Sequence, residues 1–285
     1  YTMALTINTN LGSLIVQKNL DSATKSLNQA IERMTTGYKI NSARDDAAGY
    51  AVATKMETTL GSISVAQDNV AIGSSMLSTL ESNNDLLLTH YQRIRDLTEE
   101  AANGTYGSDS IDAIKAEVTA RMAEIDRIAA SAEFNGVKLM NGSKTGGVVL
   151  QVGVDSTANS RLTLDATLFA DSKSATLTQV ADATFLGYYT AGGANYGTAL
   201  NAIDKALNTL TTRQTTIGAM QNRLDSASDA LEVQYSNVTS SLSTIKDADV
   251  AAESSAYIKA QILQQASASL LATANQTPSI ALNLI

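Results

Sequence analysis

The stretch Ala199-Leu200-Asn201-Ala202-Ile203-Asp204-Lys205-Ala206-Leu207-Asn208-Thr209-Leu210 opens a ladder that decides the fold. Ile203, Leu210, Ile217, Leu224, Leu231, Val238, Ile245 and Ala252 follow one another at intervals of seven. Leu207, Met220, Ala227, Tyr235, Leu242, Ala248 and Ala256 fall three or four positions further on, and Gln214 alone breaks the stripe. An apolar period of 3.5 marks a helix that packs along its whole length. Between Ala199 and Thr273 there is no proline and one glycine, Gly218. The pattern therefore predicts one uninterrupted helix, roughly 110 Å long at 1.5 Å per residue, and with it a mainly α, elongated rod.

Upstream, Met56, Ile63, Val70, Leu77, Asn84 and Tyr91 repeat the same interval, with Leu60, Ala66, Leu80, Leu87 and Ile94 between them. Asn84 sits where a buried polar residue sets register in coiled coils. Asn103-Gly104-Thr105-Tyr106-Gly107 breaks this second helix, and Ser108 or Asp109 is placed to cap a third with the stripe Ile111, Ile114, Val118, Met122, Ile125. So short a loop turns the two antiparallel. At the start of the chain, Leu20, Ala23, Leu27, Ile31 and Met34 form an amphipathic helix that ends at Gly37, and Ile7, Leu11, Leu14 and Ile15 extend its stripe. The connector 37–50 carries Arg44-Asp45-Asp46, whose adjacent carboxylates point apart and suit capping rather than catalysis. From Phe134 the period changes: Asn135-Gly136 and Asn141-Gly142 are turn pairs, while Val148-Val149-Leu150-Gln151-Val152 and Arg161-Leu162-Thr163-Leu164 read as a small β-hairpin. Residues 166–197 have little periodicity and read as a short irregular excursion. Pro278 is expected to stop the last helix, leaving Ile280, Leu282, Leu284 and Ile285 as an apolar tail.

Composition narrows the function classes. Of 285 residues 5% are aromatic and none is Trp, so thin helix-on-helix seams suit the chain better than a deep core. A net charge of −8 from 20 basic and 28 acidic residues, with no basic run, argues against nucleic acid and anionic membrane as partners. There is no cysteine, and the single histidine, His90, excludes a His-x-x-x-His metal motif. Phosphate-loop and nucleophile-elbow motifs are absent, so no catalytic residue, cofactor or metal is expected. No apolar run approaches a membrane span or a secretory-signal core, which leads to the expectation of export without a cleaved signal.

Both chain ends are amphipathic and leave apolar stripes open after pairing with each other, an arrangement that builds a helical filament through a non-closing interface. The segment Ala30-Ile31-Glu32-Arg33-Met34-Thr35-Thr36-Gly37-Tyr38-Lys39-Ile40-Asn41-Ser42-Ala43-Arg44-Asp45-Asp46-Ala47-Ala48-Gly49 resembles the N-terminal signature of bacterial flagellins. Glu133-Phe134-Asn135-Gly136, Leu150-Gln151-Val152-Gly153, the run Thr215 to Leu224 and Ala260-Gln261-Ile262-Leu263-Gln264-Gln265-Ala266 are similar to further flagellin motifs. The resemblance spans about 3–165 and 198–285, and the middle is too short for the large outer domains that many flagellins carry.

It implies a structural subunit of the extracellular flagellar filament, not an enzyme. It divides the chain into an N-terminal coiled-coil half (3–45), a helical segment with a β-hairpin (46–165), a short outer excursion (166–197), a further helical part (198–240) and a C-terminal coiled-coil half (241–285). The expected assembly seam is Leu20, Leu27, Ile31, Met34, Ile245, Ala252, Ile262, Leu263, Ala266 and Leu270. The expected rod seam is Met56, Ile63, Val70, Leu77, Ile203, Leu210, Ile217, Leu224, Leu231 and Val238. Implied partners are further copies of the chain, a flagellar export chaperone, filament cap and hook-associated proteins, and a host Toll-like receptor. For the receptor, Gln92, Arg93, Leu97 and Glu117 match the recognised surface, with Arg93 and Leu97 four apart and expected on one face. The reading from another class is an adhesin on a helical stalk, with the Tyr-rich loop as its grip.

Overall fold

The computed structural model describes residues 10–190 and 195–282, with side chains described as far as residue 276. It is mainly α: α1 (Leu11–Thr36), α2 (Ala47–Ala101), α3 (Ser108–Ser131), α4 (Ser174–Thr178), α5 (Asp182–Leu186), α6 (Tyr196–Lys246) and α7 (Val250–Leu282). Two antiparallel strand pairs join them, β1 (Glu133–Phe134) with β2 (Val137–Lys138), and β3 (Val148–Gln151) with β4 (Arg161–Leu164). The chain divides into two compact units, Tyr1–Leu60 with Ser236–Ile285, and Gly61–Tyr235.

The second unit holds the core. Ile63, Val70 and Leu77 of α2 and Ile203, Leu210, Ile217, Leu224 and Leu231 of α6 are all buried, together with the expected stripe of α3. The two helices run antiparallel, as Arg95 Nε to Asp204 Oδ1 at 3.1 Å and Asn84 to Gln214 show. Gln214, the one break in the α6 ladder, faces Asn84, the one polar rung of α2. Asn84 is wholly buried and donates from Nδ2 to Gln214 Oε1 at 2.8 Å and to the Leu210 carbonyl at 3.1 Å. Gln214 in turn donates to Glu81 Oε1 at 3.2 Å, and Gln221 to Glu81 Oε2 at 2.8 Å. Two exceptions to an apolar pattern thus meet each other through the Asn84 amide N–H groups, with Asn84 Oδ1 left without a partner among the described residues, and any other register would strand both side chains.

The β elements follow local chemistry. Asn135 and Gly136 both have positive φ, 47° and 78°, the conformation that a two-residue hairpin of this twist requires, and they close β1 on β2. Gly73 leaves a hole in α2 that Leu150 of β3 fills, since a Cβ there would lie 2.4 Å from Leu150 Cδ1.

Four expectations change. Residues 166–197 are not irregular where they are described: α4 and α5 pack on α3, and Leu168, Phe169, Leu177, Phe185 and Tyr189 are buried. The Tyr-rich stretch turns inward because Tyr189 and Tyr196 share hydrogen bonds with Thr98 and the Thr190 carbonyl and stack edge to face. The α3 start has Gly107, not Ser108 or Asp109, at its cap, with no side-chain bond. The single helix over 199–273 is broken at 247–249, where backbone bonds to residues 37 and 39 satisfy groups that a continuous helix would use itself. Pro278 does not end α7, which continues to Leu282. Ile7, Leu284 and Ile285 lie outside the described residues.

The Asn84–Gln214 pairing predicts a measurable coupling. Asn84→Ala and Gln214→Ala should each destabilise the folded chain, and in a urea double-mutant cycle they should be non-additive by about 1 kcal/mol. Asn84→Ala combined with Thr211→Ala on the exposed side of α6 should be additive; equal coupling in both cycles would remove the register role.

Candidate functional site

The first unit is built from chain ends. α1 and α7 lie antiparallel with Cα atoms within 8 Å of one another along their length. The approach is that close because the facing positions are small: Ala23 and Ala30 on α1, Ala260 and Ser267 on α7, all buried. Steps of three and four link the α1 seam (Ser13, Val16, Leu20, Ala23, Leu27, Ala30) and the α7 seam (Glu253, Tyr257, Ala260, Gln264, Ser267, Leu271, Ala274), every member of which is buried or half-buried. Polar rungs fix the register. Ser13 Oγ donates to Asn275 Oδ1 at 2.7 Å, Gln264 Nε2 to Thr24 Oγ1 at 3.2 Å, and Arg33 Nη1 to Glu253 Oε1 at 3.0 Å.

The ends of the pair are fixed by a second device. Asn10 caps α1 by accepting from the Ser13 N–H at 3.0 Å, and its Nδ2 donates to the Ala274 carbonyl at 2.7 Å. Ala274 stands four residues before Pro278, which has no N–H to offer that carbonyl. The proline therefore survives inside α7 because the acceptor it abandons is filled by the cap of the opposite helix.

At the other end of the pair both connectors meet. Gly37 takes the left-handed conformation at φ 75° and closes α1. The Lys39 N–H donates to the Lys246 carbonyl and the Ala248 N–H to the Gly37 carbonyl, both at 2.8 Å, so that Tyr38 and Asp247 form an antiparallel bridge. Lys246 pairs with Glu57 and lies 4.4 Å over the Tyr38 ring. Asp46 caps α2 through the Ala48 and Gly49 N–H groups, and Asp249 caps α7 through those of Ala251 and Ala252. Asp45 accepts from the N–H groups of Asn41 and Ser42, and the Ser42 bonds chiefly hold its carboxyl below the usual range. A carboxyl so depressed supports the loop above the ordinary carboxylate pKa, and that support is lost as pH falls through the lowered value.

The expected seam residues divide. Leu20, Leu27 and Ile245 are half-buried in this unit, as are Met56 and Val238 of the second set. Ile31, Met34, Ala252, Ile262, Leu263, Ala266 and Leu270 are exposed; for Ala252 and Ala266 the reason is the break at 247–249, which moves the α7 seam by one residue, from the ladder positions 252, 259 and 266 to 253, 260 and 267. Leu11, Leu14 and Ile15 are also exposed. On α7, Ile258 and Ile262 lie on the side away from α1, and Leu263 and Leu270 edge a groove of about 620 Å³ that Ser22, Ala23 and Ser26 of α1 share. Thirteen of the twenty exposed large apolar side chains among the described residues belong to this unit, whose buried apolar residues are four alanines and Ile40. Apolar groups here are outside rather than inside, which is the signature of a surface meant to be covered.

The expected receptor surface also divides. Gln92 and Arg93 are exposed, and Arg93 Nε donates to Glu117 Oε1 at 3.3 Å. Glu117 is held mainly by Arg121, at 2.8 Å, and then by Arg93, which together keep its carboxyl below the usual range. Leu97 is buried at 2% exposure and does not share the exposed Arg93 face; beside it Thr98 is buried too and bonds to the Tyr189 hydroxyl. No group of three His, Cys, Asp or Glu among the described residues could hold a metal, and no described helix is long and apolar enough to cross a membrane.

Known proteins match this arrangement. The family model of the bacterial flagellin N-terminal helical region matches residues 7–145, and that of the C-terminal helical region matches residues 200–285. A flagellin of Listeria monocytogenes is 32% identical over 284 residues, 98% of this chain and 99% of its own length. Flagellin FlaB1 of Treponema pallidum is 30% identical over 295 residues, 98% of this chain and 99% of its own. A flagellar hook-associated protein of Vibrio parahaemolyticus has the same fold over 71% of this chain and all of its own, with a TM-score of 0.60 at 17% identity.

Asn10→Ala removes both a cap and the partner of a proline-freed carbonyl. It should raise amide exchange over 11–16 and 270–276 in the full-length chain, with a local cost of about 1 kcal/mol. Unchanged exchange at both ends would show that the Asn10 bonds hold nothing.

Proposed function

Because the chain belongs to the bacterial flagellin family, we propose that the apolar face of its paired ends is the surface through which copies join into the flagellar filament, of which it is a structural subunit and not an enzyme. One observation carries this reading: α7 has two apolar stripes, one spent on α1 and one left open. The spent stripe is thin. Each buried alanine contributes on the order of 0.8 kcal/mol, while ordering a residue costs about 1–2 kcal/mol. The exposed Ile258 and Ile262, with Leu263 and Leu270 on the flank, supply the missing burial when a second copy covers them.

On this reading residues 3–45 and 241–285 are the two coiled-coil halves, and 46–165 with 198–240 carry them. An outer stripe that is bare before assembly needs cover, which supports an export chaperone that holds 241–285 until the chain leaves through the flagellar secretion channel. Hook-associated and cap proteins would meet the same stripes at the filament ends. The aromatic cluster of Phe185, Tyr189 and Tyr196 is buried and so offers no grip to a ligand, which weighs against an adhesin.

Leu263→Asp tests the assembly surface. The side chain is half exposed in the free chain, so the monomer should keep its helicity and melting temperature. An unpaired carboxylate buried at every contact should raise the critical concentration for polymerisation by about 100-fold or more. Normal filaments from this variant would remove the outer face of α7 from the contact.

For the host receptor we propose Gln92, Arg93 and Glu117 as the touching groups, with Leu97 supporting Arg93 from the core. Arg93→Ala should weaken binding of the monomer by about tenfold or more, as expected for an arginine at the centre of an interface. Equal affinity of the two monomers in a surface-binding assay would take Arg93 out of the site.

A further inference from the structure

We propose that Asn103, in the turn between α2 and α3, is a site of self-modification: the Gly104 nitrogen converts its side-chain amide into a carboxylate, with water as co-reactant and ammonia as leaving group. The chain has three Asn-Gly pairs, at 103, 135 and 141. In each, the glycine carries no side chain to keep its nitrogen from the preceding amide carbon. All three asparagines are exposed. Exposure therefore does not separate them, whereas hydrogen bonding does.

At the second pair the Gly136 N–H donates to the Glu133 carboxyl, and at the third the Gly142 N–H donates to the Phe169 carbonyl at 3.0 Å. A nitrogen that attacks must give up its proton and swing toward the side chain, and an acceptor that holds the N–H opposes both. The Gly104 N–H has no acceptor among the described residues, and a Cβ placed on this glycine would meet nothing within 4 Å. Comparison with Asn141 isolates that difference. In both turns the side-chain Oδ1 accepts from the N–H two residues on, that of Thr105 at 3.3 Å and that of Ser143 at 3.0 Å. Such a bond turns the side chain toward the backbone that follows and polarises its carbonyl for attack. Of the three, Asn103 alone combines a polarised carbonyl with a glycine nitrogen that nothing holds.

The reaction needs no other group. The Gly104 nitrogen bonds to Asn103 Cγ, the side-chain NH2 leaves as ammonia, and a closed imide ring remains. Water then breaks one of the two ring C–N bonds, which leaves a carboxylate and routes the backbone either as in aspartate or through the side chain as in isoaspartate. The new charge follows Glu99 and Glu100 in sequence and stands just past the end of α2, where the helix dipole disfavours an anion.

The three pairs fall in separate tryptic peptides, 96–115, 128–138 and 139–144, none of which holds a second Asn or a Gln. The full-length chain is aged in warm, mildly alkaline buffer, either folded or in urea, and mass spectrometry reads the exchange of NH2 for OH in each peptide. In the folded chain 96–115 should react about tenfold or more faster than the other two, because those must first open a native hydrogen bond. In urea the three rates should converge. Gly104→Ala, whose methyl group has open space in the fold, should keep the melting temperature and slow the reaction of 96–115 about tenfold by crowding the attacking nitrogen. Equal rates for the three peptides in the folded chain, a lead of 96–115 that persists in full in urea, or an unchanged rate in Gly104→Ala overturns the proposal.

Discussion

The thinness of the seam between α1 and α7 governs this molecule. Alanine and serine at the facing positions let two helices come within 8 Å, yet they bury so little apolar area that the pair is marginal by itself. Larger apolar side chains are present in quantity, but they point outwards. The chain keeps its bulky groups in the 61–235 core and puts small ones between its own ends.

A seam of small residues also discriminates poorly between registers, because sliding alanine past alanine changes little. Polar contacts carry that burden in both units. Between α1 and α7 it falls to Thr24 with Gln264, Arg33 with Glu253, and the cap Asn10 with the carbonyl that Pro278 leaves free. Between α2 and α6 it falls to Asn84, Gln214, Gln221 and Glu81. In each case a residue that interrupts the apolar pattern is matched by another interruption across the interface, so the irregularities encode the alignment that the regular pattern cannot.

Much of this was legible in the sequence. The seven-residue ladders of α2 and α6 are buried where they were expected within the core, the hairpin of β3 and β4 lies where the period changes to two, and Asp46 caps as its setting suggests. The break at 247–249 was not legible, because Asp247-Ala248-Asp249 holds no glycine or proline and Ala252 stays in phase with the ladder before it. The available signal was Asp249 as a capping acid with Glu253 in the following turn. Leu97 was misplaced for a different reason. Spacing along one helix cannot reveal how wide its buried face is, and here both Leu97 and Thr98 are inside, Thr98 against Tyr189.

The one-residue offset across 247–249 gives the connector a role beyond joining two helices. Each residue of an α-helix turns the face by about 100°. Were the helix continuous through 247–249, the ladder of α6 would run on to Ala252, Lys259 and Ala266; the connector instead brings Glu253, Ala260 and Ser267 to α1. The connector is in effect an angular key. Its geometry decides which face of α7 the chain turns to α1, so a single codon gained or lost there would present a face about 100° away without altering any side chain on it.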